Sequence, residues 1–112
     1  MLPARSRLTS SDDFRACVRG GVRVGRETLV IHALRTSSPP SRAGFVVSKA
    51  VGNAVTRNRV KRRLRHLAAS SFSSDAESSV DIVVRALPQA TTGDLAGDFR
   101  SAYATALTKL AA

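Results

Sequence analysis

The amino-acid sequence predicts an α+β fold in which helices pack on a mixed β-sheet. Helical and strand patterns follow one another along the chain in the order α, two or three strands, α, strand, α. The chain has 112 residues, of which 43% are hydrophobic. A sequence of this length and composition predicts a single domain over residues 1–112, with a core built mainly from Val, Leu, Ala and Ile.

The first helix is predicted to begin at Ser10 or Ser11, because a serine hydroxyl caps free backbone N–H groups. The two Asp residues that follow favour the positive end of the helix dipole. The apolar stripe of this helix has the spacing i, i+3, i+4 and consists of Phe14, Cys17 and Val18. The Gly-Gly pair at positions 20 and 21 predicts where the helix ends.

Strands are predicted next. Their β-branched content indicates one strand at 29–34 and another at 43–48, separated by a loop rich in Ser and Pro. We expect these two strands to pair as a hairpin. A later strand, Val80–Ala86, contains an unbroken apolar run, which is typical of a central position in a sheet.

A strongly basic helix is predicted over residues 54–69. On a helical wheel one face is formed by Val60, Leu64, Leu67 and Ser71, and the opposite face by Asn58, Arg59, Arg62, Arg65 and His66. A Ser-rich loop is expected at 70–79. The last helix is predicted to be capped by Thr92 or Asp94 and to bury a stripe of Leu95, Phe99, Ala102, Tyr103, Ala106, Leu107 and Leu110.

The charge of the chain indicates a polyanionic partner. Eighteen basic residues, fifteen of them Arg, against eight acidic residues give a net charge of +10. Such a charge costs stability through self-repulsion and is typical of a protein that binds a polyanion. The single cysteine excludes an intramolecular disulfide and fits a reducing cytoplasm. The sequence also lacks a secretory signal and a membrane-spanning apolar run, so we expect no membrane partner.

Candidate catalytic groups are few. No phosphate-binding loop, paired-histidine metal motif or serine nucleophile motif is present. Asp12 and Asp13 are better explained by helix capping, and Cys17 by core packing. The sequence therefore predicts a binding protein without an active site or metal site of its own.

The basic helix favours nucleic acid as the partner. Six of the nine residues from 57 to 65 are basic and almost no acid compensates them, so like charges repel along the helix unless an anion lies against it. Asn53 and Asn58 lie among the arginines, and amides mixed with guanidinium groups suit hydrogen bonds to backbone, sugar and base edges. The apolar stripe is expected to fix the helix on the sheet with its Arg face outward.

Residues 48–65, with the sequence SKAVGNAVTRNRVKRRLR, closely resemble the signature of the bacterial ribonuclease P protein subunit. The resemblance extends more weakly over nearly the whole chain, through Arg7-Leu8, Asp13-Phe14, Gly44 and the strand that runs from Asp81 to Pro88. It implies the order α-β-β-β-α-β-α, with a mixed central sheet and a left-handed crossover around the basic helix. A left-handed crossover departs from the usual rule for parallel strands.

The resemblance also implies a function. The family partner is a large catalytic RNA, and the complex is an endonuclease that removes the 5′ leader of precursor tRNA. The Mg²⁺ ions are held mainly by the RNA, which contains the catalytic centre. The chain is then expected to act in tRNA processing within a cytoplasmic ribonucleoprotein, with precursor tRNA as substrate and no obligate protein partner.

Two separate RNA surfaces are implied by the same resemblance. The signature residues expected to face the catalytic RNA are Ser48, Lys49, Asn53, Arg57, Asn58, Arg59, Lys61, Arg62 and Arg65. The residues expected in a cleft for the single-stranded leader are Phe14, Val18, Val30 and His32. Arg85 lies one residue from a common family arginine and is left unassigned.

This chain departs from the family pattern in the leader cleft. Val18 replaces a second aromatic residue, and His32 replaces a tyrosine. Both changes reduce stacking surface, so leader binding is expected to depend more on Arg and Lys. Plain core packing is an alternative role for Phe14, and a half-buried strand position is an alternative for His32.

Two other functions stay open. One is a ribosomal or other structural RNA-binding protein of similar architecture, which binds one RNA without affecting cleavage. The other is a DNA-binding protein that inserts its basic helix into a major groove. The Gly-Asn turn and the Arg-Asn-Arg sequence, together with the lack of a clear helix-turn-helix, disfavour both.

Overall fold

The computed structural model describes residues 2–37, 39–74 and 79–111, and in these ranges the order of elements is α-β-β-β-α-β-α. This is the α+β order that the resemblance implied. The elements are α1 (Ser11–Gly20), β1 (Val22–Gly25), β2 (Leu29–Arg35), β3 (Arg42–Val46), α2 (Ala54–Ser74), β4 (Val80–Ala86) and α3 (Leu95–Ala111), with 3₁₀ turns at Ala4–Ser6 and Pro88–Thr91.

The four strands form one mixed sheet in the order β1-β2-β4-β3. β1 and β4 both pair with β2 in antiparallel orientation, and β3 pairs with β4 in parallel. The central position predicted for β4 is confirmed. The predicted hairpin between the strands at 29–34 and 43–48 is wrong, because β4 lies between them. The apolar run of β4 is buried on both sheet faces, and only a central strand offers that burial.

A crossover through α2 joins the parallel neighbours β3 and β4. It carries the basic helix over one face of the sheet, where α2 and α3 together cover the main core. Fully buried members of this core include Ile31, Leu64, Ile82 and Phe99. The left hand expected for this crossover stays a prediction.

The opposite sheet face is covered only in part, by α1. A small cluster of Leu8, Cys17 and Val83 is buried there, with Phe14, Leu34 and Val46 packed around it. Because alternate residues of a strand point to opposite faces, Val30 and His32 lie on this second face. The predicted cleft residues Val30 and His32 therefore lie on the sheet face that α1 covers only in part.

The helix ends follow the local sequence signals. Ser10 caps α1, since its Oγ accepts a hydrogen bond from the Asp13 N–H at 3.5 Å, and the helix ends at Gly20 as predicted. Of the two caps considered for α3, Asp94 is confirmed, because its Oδ1 accepts from the Gly97 N–H at 3.0 Å. The predicted α3 stripe is buried from Leu95 to Ala106.

α2 is longer than predicted. It runs to Ser74, so positions 70–74 of the expected Ser-rich loop are helical, while positions 75–78 lie outside the described residues. Phe72 explains the extension, because it packs on the main core, with its ring centroid 6.2 Å from that of Tyr103. The buried stripe of the helix follows Val60, Leu64 and Ala68.

Candidate nucleic-acid interface

The basic side chains of α2 are available for an anionic partner. Among the nine predicted contacts, Ser48, Lys49, Asn53, Asn58, Arg59 and Arg62 are exposed, and Arg57, Lys61 and Arg65 are half-buried. Within the described ranges, no carboxylate lies within 4.0 Å of a basic side chain of this helix. The Arg57 Nε is buried without a hydrogen-bond partner. The helix therefore presents uncompensated positive charge, as the sequence predicted.

A tight turn leads into this helix and fixes its start. The Val51 N–H donates to the Ser48 carbonyl at 3.1 Å, and the Gly52 N–H donates to the Lys49 carbonyl at 3.2 Å. Gly52 has φ +157°, and a Cβ there would lie 2.9 Å from Thr56 Cγ2, so the turn requires glycine. The turn brings Ser48 and Lys49 next to the first turn of α2.

Asn53 has a structural role at this junction. Its Oδ1 accepts a hydrogen bond from the Thr56 N–H at 2.9 Å, which caps α2. Asn53 Oδ1 is therefore engaged in the cap, and the NH₂ group of this exposed side chain takes no part in it. Prediction from sequence had given this residue only an RNA-binding role.

A cavity of about 460 Å³ lies between the turn, α2 and the 3₁₀ turn that precedes α3. It is lined by Val51, Gly52, Asn53, Thr56, Arg59, Val60, Arg63, Ala90 and Thr91. Arg63 was absent from the predicted site, although it lies one turn after Arg59 in the same basic run. The i, i+4 spacing of these two arginines is the sequence signal that would have identified it.

The second surface is organised by the packing of α1 on the sheet. The Phe14 ring lies directly over Gly44, where an added Cβ would be only 2.3 Å from the ring Cζ. The buried Cys17 Sγ donates to the carbonyls of His32 and Asp81 at 3.4 and 3.3 Å. Burial is the main cause that raises the pKa of this thiol, and the Asp81 carboxylate raises it further. A backbone hydrogen bond with Val83 acts in the opposite direction, and the resulting pKa is about 11. Cys17 is therefore a packing residue, as expected.

Arg42 connects α1 to the sheet through ion pairs. Its Nε and one terminal nitrogen donate to the two carboxylate oxygens of Asp81 at 3.0 and 2.7 Å, and the other terminal nitrogen donates to Asp13 at 3.1 Å. The hydrogen bond with Asp81 is the main cause that raises the Arg42 pKa. The carboxylates of Asp13 and Asp81 are therefore both engaged in ion pairs with Arg42. No three His, Cys, Asp or Glu side chains in the described parts of the chain group closely enough to hold a metal ion.

The four predicted cleft residues lie at this second surface in two pairs. Phe14 is half-buried and Val18 is 42% exposed, and both line a cavity of about 470 Å³ beside α1. Val30 and His32 lie two residues apart on β2. Val30 is only 7% exposed, so it contributes little surface, whereas His32 is half-buried. Phe14 packs on the small cluster and also borders solvent, so it has a packing role, and its role in the leader cleft stays a prediction.

The two sets of predicted RNA-contacting residues adjoin at one side of the sheet, and their binding of two separate RNA segments stays a prediction. A cavity of about 160 Å³ is lined by Arg7, Leu8, Thr9, Phe14, Ala43, Gly44, Phe45, Lys61 and Arg65. It brings the predicted cleft aromatic next to two basic residues of α2. β3 is one of the two edge strands, and α1 on one face and α2 on the other both reach its side of the sheet.

The environment of His32 is strongly positive. Arg23 lies directly opposite His32 in the β1–β2 pair, and Arg85 extends from the same face of β4. Burial first, then Arg23 and Arg85, lower the pKa of the His32 imidazole below its usual 6.5. Its Nδ1 is buried without a hydrogen-bond partner. The ring is therefore neutral at pH 7.

Comparison with known proteins is consistent across sequence and structure. The family model described as Ribonuclease P matches residues 2–110. The ribonuclease P protein component of Kocuria rhizophila is 53% identical over 114 residues, which covers 99% of this chain and 100% of the relative. That of a Nocardioides strain is 54% identical over 99 residues, covering 86% of this chain and 84% of the relative.

Solved structures of proteins with the same description are similar in fold. The RNase P protein of Staphylococcus aureus has a TM-score of 0.70 and 25% identity, over 92% of this chain and 93% of that one. The RNase P protein from Thermotoga maritima has a TM-score of 0.63 and 26% identity, over 95% and 94%. Among the residues described for the present chain, no helix is long and apolar enough to cross a membrane.

Proposed function

Because this chain belongs to the ribonuclease P protein family, we propose that it binds the catalytic RNA of that enzyme through α2 and the preceding turn. We further propose that it holds the 5′ leader of precursor tRNA in the cleft between α1 and the open sheet face. In this function it promotes the Mg²⁺-dependent endonucleolytic cleavage that produces the mature 5′ end, in the bacterial cytoplasm.

The observation that carries the first part is the uncompensated charge of α2. A helix fixed by its buried stripe presents its arginines at a constant spacing, and among residues 2–37, 39–74 and 79–111 no carboxylate lies within 4.0 Å of them. Each phosphate that such a side chain neutralises releases condensed counterions, which is the main source of affinity for a nucleic acid. Arg59 and Arg63 flank a cavity beside the helix where an RNA segment can reach both.

The leader proposal is supported by a single aromatic residue in a basic setting. Phe14 offers one stacking platform, worth about 1–3 kcal/mol for one base. Since Val18 and His32 replace aromatic residues, the remaining affinity must come from cations along the path. Lys61 and Arg65 border the cavity beside Phe14, so a strand that stacks on the ring meets their charges next.

The protein contributes binding rather than bond breaking in this proposal. The carboxylates at the α1–sheet junction are engaged by Arg42, which leaves them unsuited to hold Mg²⁺ or to act as a base. Hydrolysis of the phosphodiester then relies on the RNA and the metal ions that it binds. The cations of the protein reduce repulsion between the catalytic RNA and its substrate, so the protein should matter most at low Mg²⁺.

The test combines the purified chain with a bacterial ribonuclease P RNA. At low Mg²⁺ the protein should raise the rate of precursor-tRNA cleavage, whereas the protein alone should show no cleavage at any Mg²⁺ concentration. Cleavage by the protein alone that a point substitution abolishes would refute the proposal. Tight RNA binding with no effect on cleavage would favour a structural RNA-binding protein, and preference for duplex DNA would favour a DNA-binding protein.

Two variants separate the two roles. Arg59→Ala with Arg62→Ala should weaken assembly with the catalytic RNA, while preference for precursor over mature tRNA survives once the complex is saturated with protein. Phe14→Ala with His32→Ala should leave assembly unchanged and lower affinity for precursor tRNA by roughly 5- to 150-fold, the equivalent of one stacked base. Mature tRNA, which has no leader, is the control substrate.

Circular dichroism must show both variants folded before these results are read. A folded cleft variant that prefers precursor tRNA as strongly as the unaltered chain would refute the leader placement. Loss of precursor preference by the Arg59 and Arg62 variant at saturation would place the leader on the exposed face of α2 instead.

A further inference from the structure

Three basic side chains meet on the open sheet face, away from Phe14 and α2. Arg23 of β1 and His32 of β2 are direct cross-strand partners. Arg85 pairs with Val30, the residue two before His32, so it lies diagonally across from the imidazole. Side chains at direct and diagonal positions of antiparallel strands are close enough to interact when they are long. The three therefore form one cluster, here called the β-face cluster.

No acid balances this cluster in the described parts of the chain. Among the described residues, no carboxylate lies within 4.0 Å of the Arg23 or Arg85 guanidinium. Asp81 extends from the same face of β4, but both of its carboxylate oxygens are taken by Arg42.

In the part of the chain that the structure describes, the other elements near His32 add no compensating charge. From α1, Cys17 contacts the His32 backbone as a protonated thiol. Lys109 of α3, which packs on the opposite sheet face, donates to the Arg23 backbone carbonyl at 3.4 Å and is a further cation beside β1. The surroundings of His32 thus favour an anion.

We propose that Arg23, His32 and Arg85 form a subsite for one phosphodiester group of a single-stranded RNA that crosses the open sheet face. The proposal rests on the proposed function, since the RNA concerned would be the leader. A phosphate fits better than a base, because guanidinium groups match its geometry and the half-buried imidazole offers little ring face for stacking. The histidine that replaces the family tyrosine at position 32 would then bind the RNA through its charge on a phosphate instead of through stacking on a base.

Occupation of this subsite should be linked to a proton. In the free protein burial and the two arginines keep the imidazole neutral, and its Nδ1 has no partner. A bound phosphate offsets the arginine charges and favours the imidazolium, so the His32 pKa rises on binding. By linkage, RNA then binds more tightly as the pH falls from 8 to 6.

The proton linkage is measurable because the chain has only two histidines, His32 and His66. Their ring proton resonances can be followed by NMR as a function of pH in the full chain, with and without a short single-stranded RNA oligonucleotide, and assigned with His66→Gln. The His32 midpoint should rise when RNA is added. Arg85→Gln should raise the midpoint of the free protein and reduce the further rise with RNA.

Arg35→Gln is the matched control, since it removes the same charge from an exposed residue whose side chain lies on the other face of β2. It should leave the RNA-dependent rise intact. Arg85→Gln should weaken oligonucleotide binding by roughly two- to fivefold, as expected for one exposed ion pair. An unchanged His32 midpoint at saturating RNA would overturn the subsite. So would an equal response to inorganic phosphate at the same concentration, which would identify a site for free phosphate.

The assembled enzyme distinguishes this proposal from the function on which it rests. Affinity for precursor tRNA relative to mature tRNA should increase between pH 8 and pH 6, and His32→Gln should remove that increase. If Phe14→Ala abolishes precursor preference while His32→Gln changes nothing, the subsite is refuted and the leader cleft stands. If neither substitution affects precursor preference, the leader placement itself fails.

Discussion

Replacement of Gly44 by alanine tests how α1 is seated on the sheet. An added Cβ would lie 2.3, 2.8 and 3.0 Å from three atoms of the Phe14 ring, well inside an ordinary carbon contact. Among the described residues only Gly52 has a positive φ, so alanine at position 44 adds no backbone strain. Overpacking of this kind costs about 1–3 kcal/mol, against a gain of about 0.4–1 kcal/mol from reduced freedom of the unfolded chain. We expect Gly44→Ala to lower the free energy of unfolding by about 1–2 kcal/mol.

The cost should disappear when the ring is removed. In a Phe14→Ala background the new methyl group has room, so Gly44→Ala should be neutral or stabilising. The coupling free energy between the two substitutions should then be about 1–3 kcal/mol. A double-mutant cycle gives this coupling from four proteins: the unaltered chain, the two single variants and the double variant. Urea unfolding, followed by far-ultraviolet circular dichroism, measures the free energy of unfolding of each.

Gly25→Ala is the matched control. It is also a strand glycine with an ordinary φ, and an added Cβ would meet only the end of the Arg23 side chain at 3.8 Å. It should be neutral or stabilising in both backgrounds. Equal effects of Gly44→Ala with and without Phe14 would show that the ring does not lie on Gly44, and the assignment of Phe14 to the cleft would lose its geometric basis.

Four further predictions follow from the same contacts. Arg59→Ala and Arg62→Ala should each reduce the slope of log K against log salt for catalytic RNA by about 0.7–0.9, measured by RNA binding at several salt concentrations. Val60→Ala should leave that slope unchanged but lower the free energy of unfolding by about 1–2 kcal/mol, because Val60 is 3% exposed. The Cys17 thiol, with its pKa of about 11, should resist alkylation at pH 8 in the native protein and react in urea. Arg42→Met should cost about 3 kcal/mol in urea unfolding, because it leaves a buried carboxylate unpaired.

Local signals in the sequence determined where most elements begin and end. Ser10, Asp94 and the Gly-Gly pair act on the backbone within a few residues, so they can be read without knowledge of the fold. The apolar stripe of α3 and the basic run of α2 are likewise properties of one helix. These features, with the eighteen-residue signature, were sufficient to predict the fold class and the family, while the RNA-binding role of the basic run stays a prediction.

Tertiary structure decided what depends on contacts between distant segments. β4 separates β2 from β3 because its burial on both faces outweighs the pairing of consecutive strands. Phe72 extends α2 because it finds a partner in α3.

The layout of the binding surfaces was decided in the same way. β3 is an edge strand, so Phe14 on one face comes to border the same cavity as Lys61 on the other, and the two sets of predicted contact residues adjoin. The charge around His32 arises from Arg23 and Arg85, which lie nine and fifty-three positions away in the chain and reach the imidazole only through strand register. A one-residue change in that register would turn these side chains to the opposite face, which is why sequence alone could not predict their meeting.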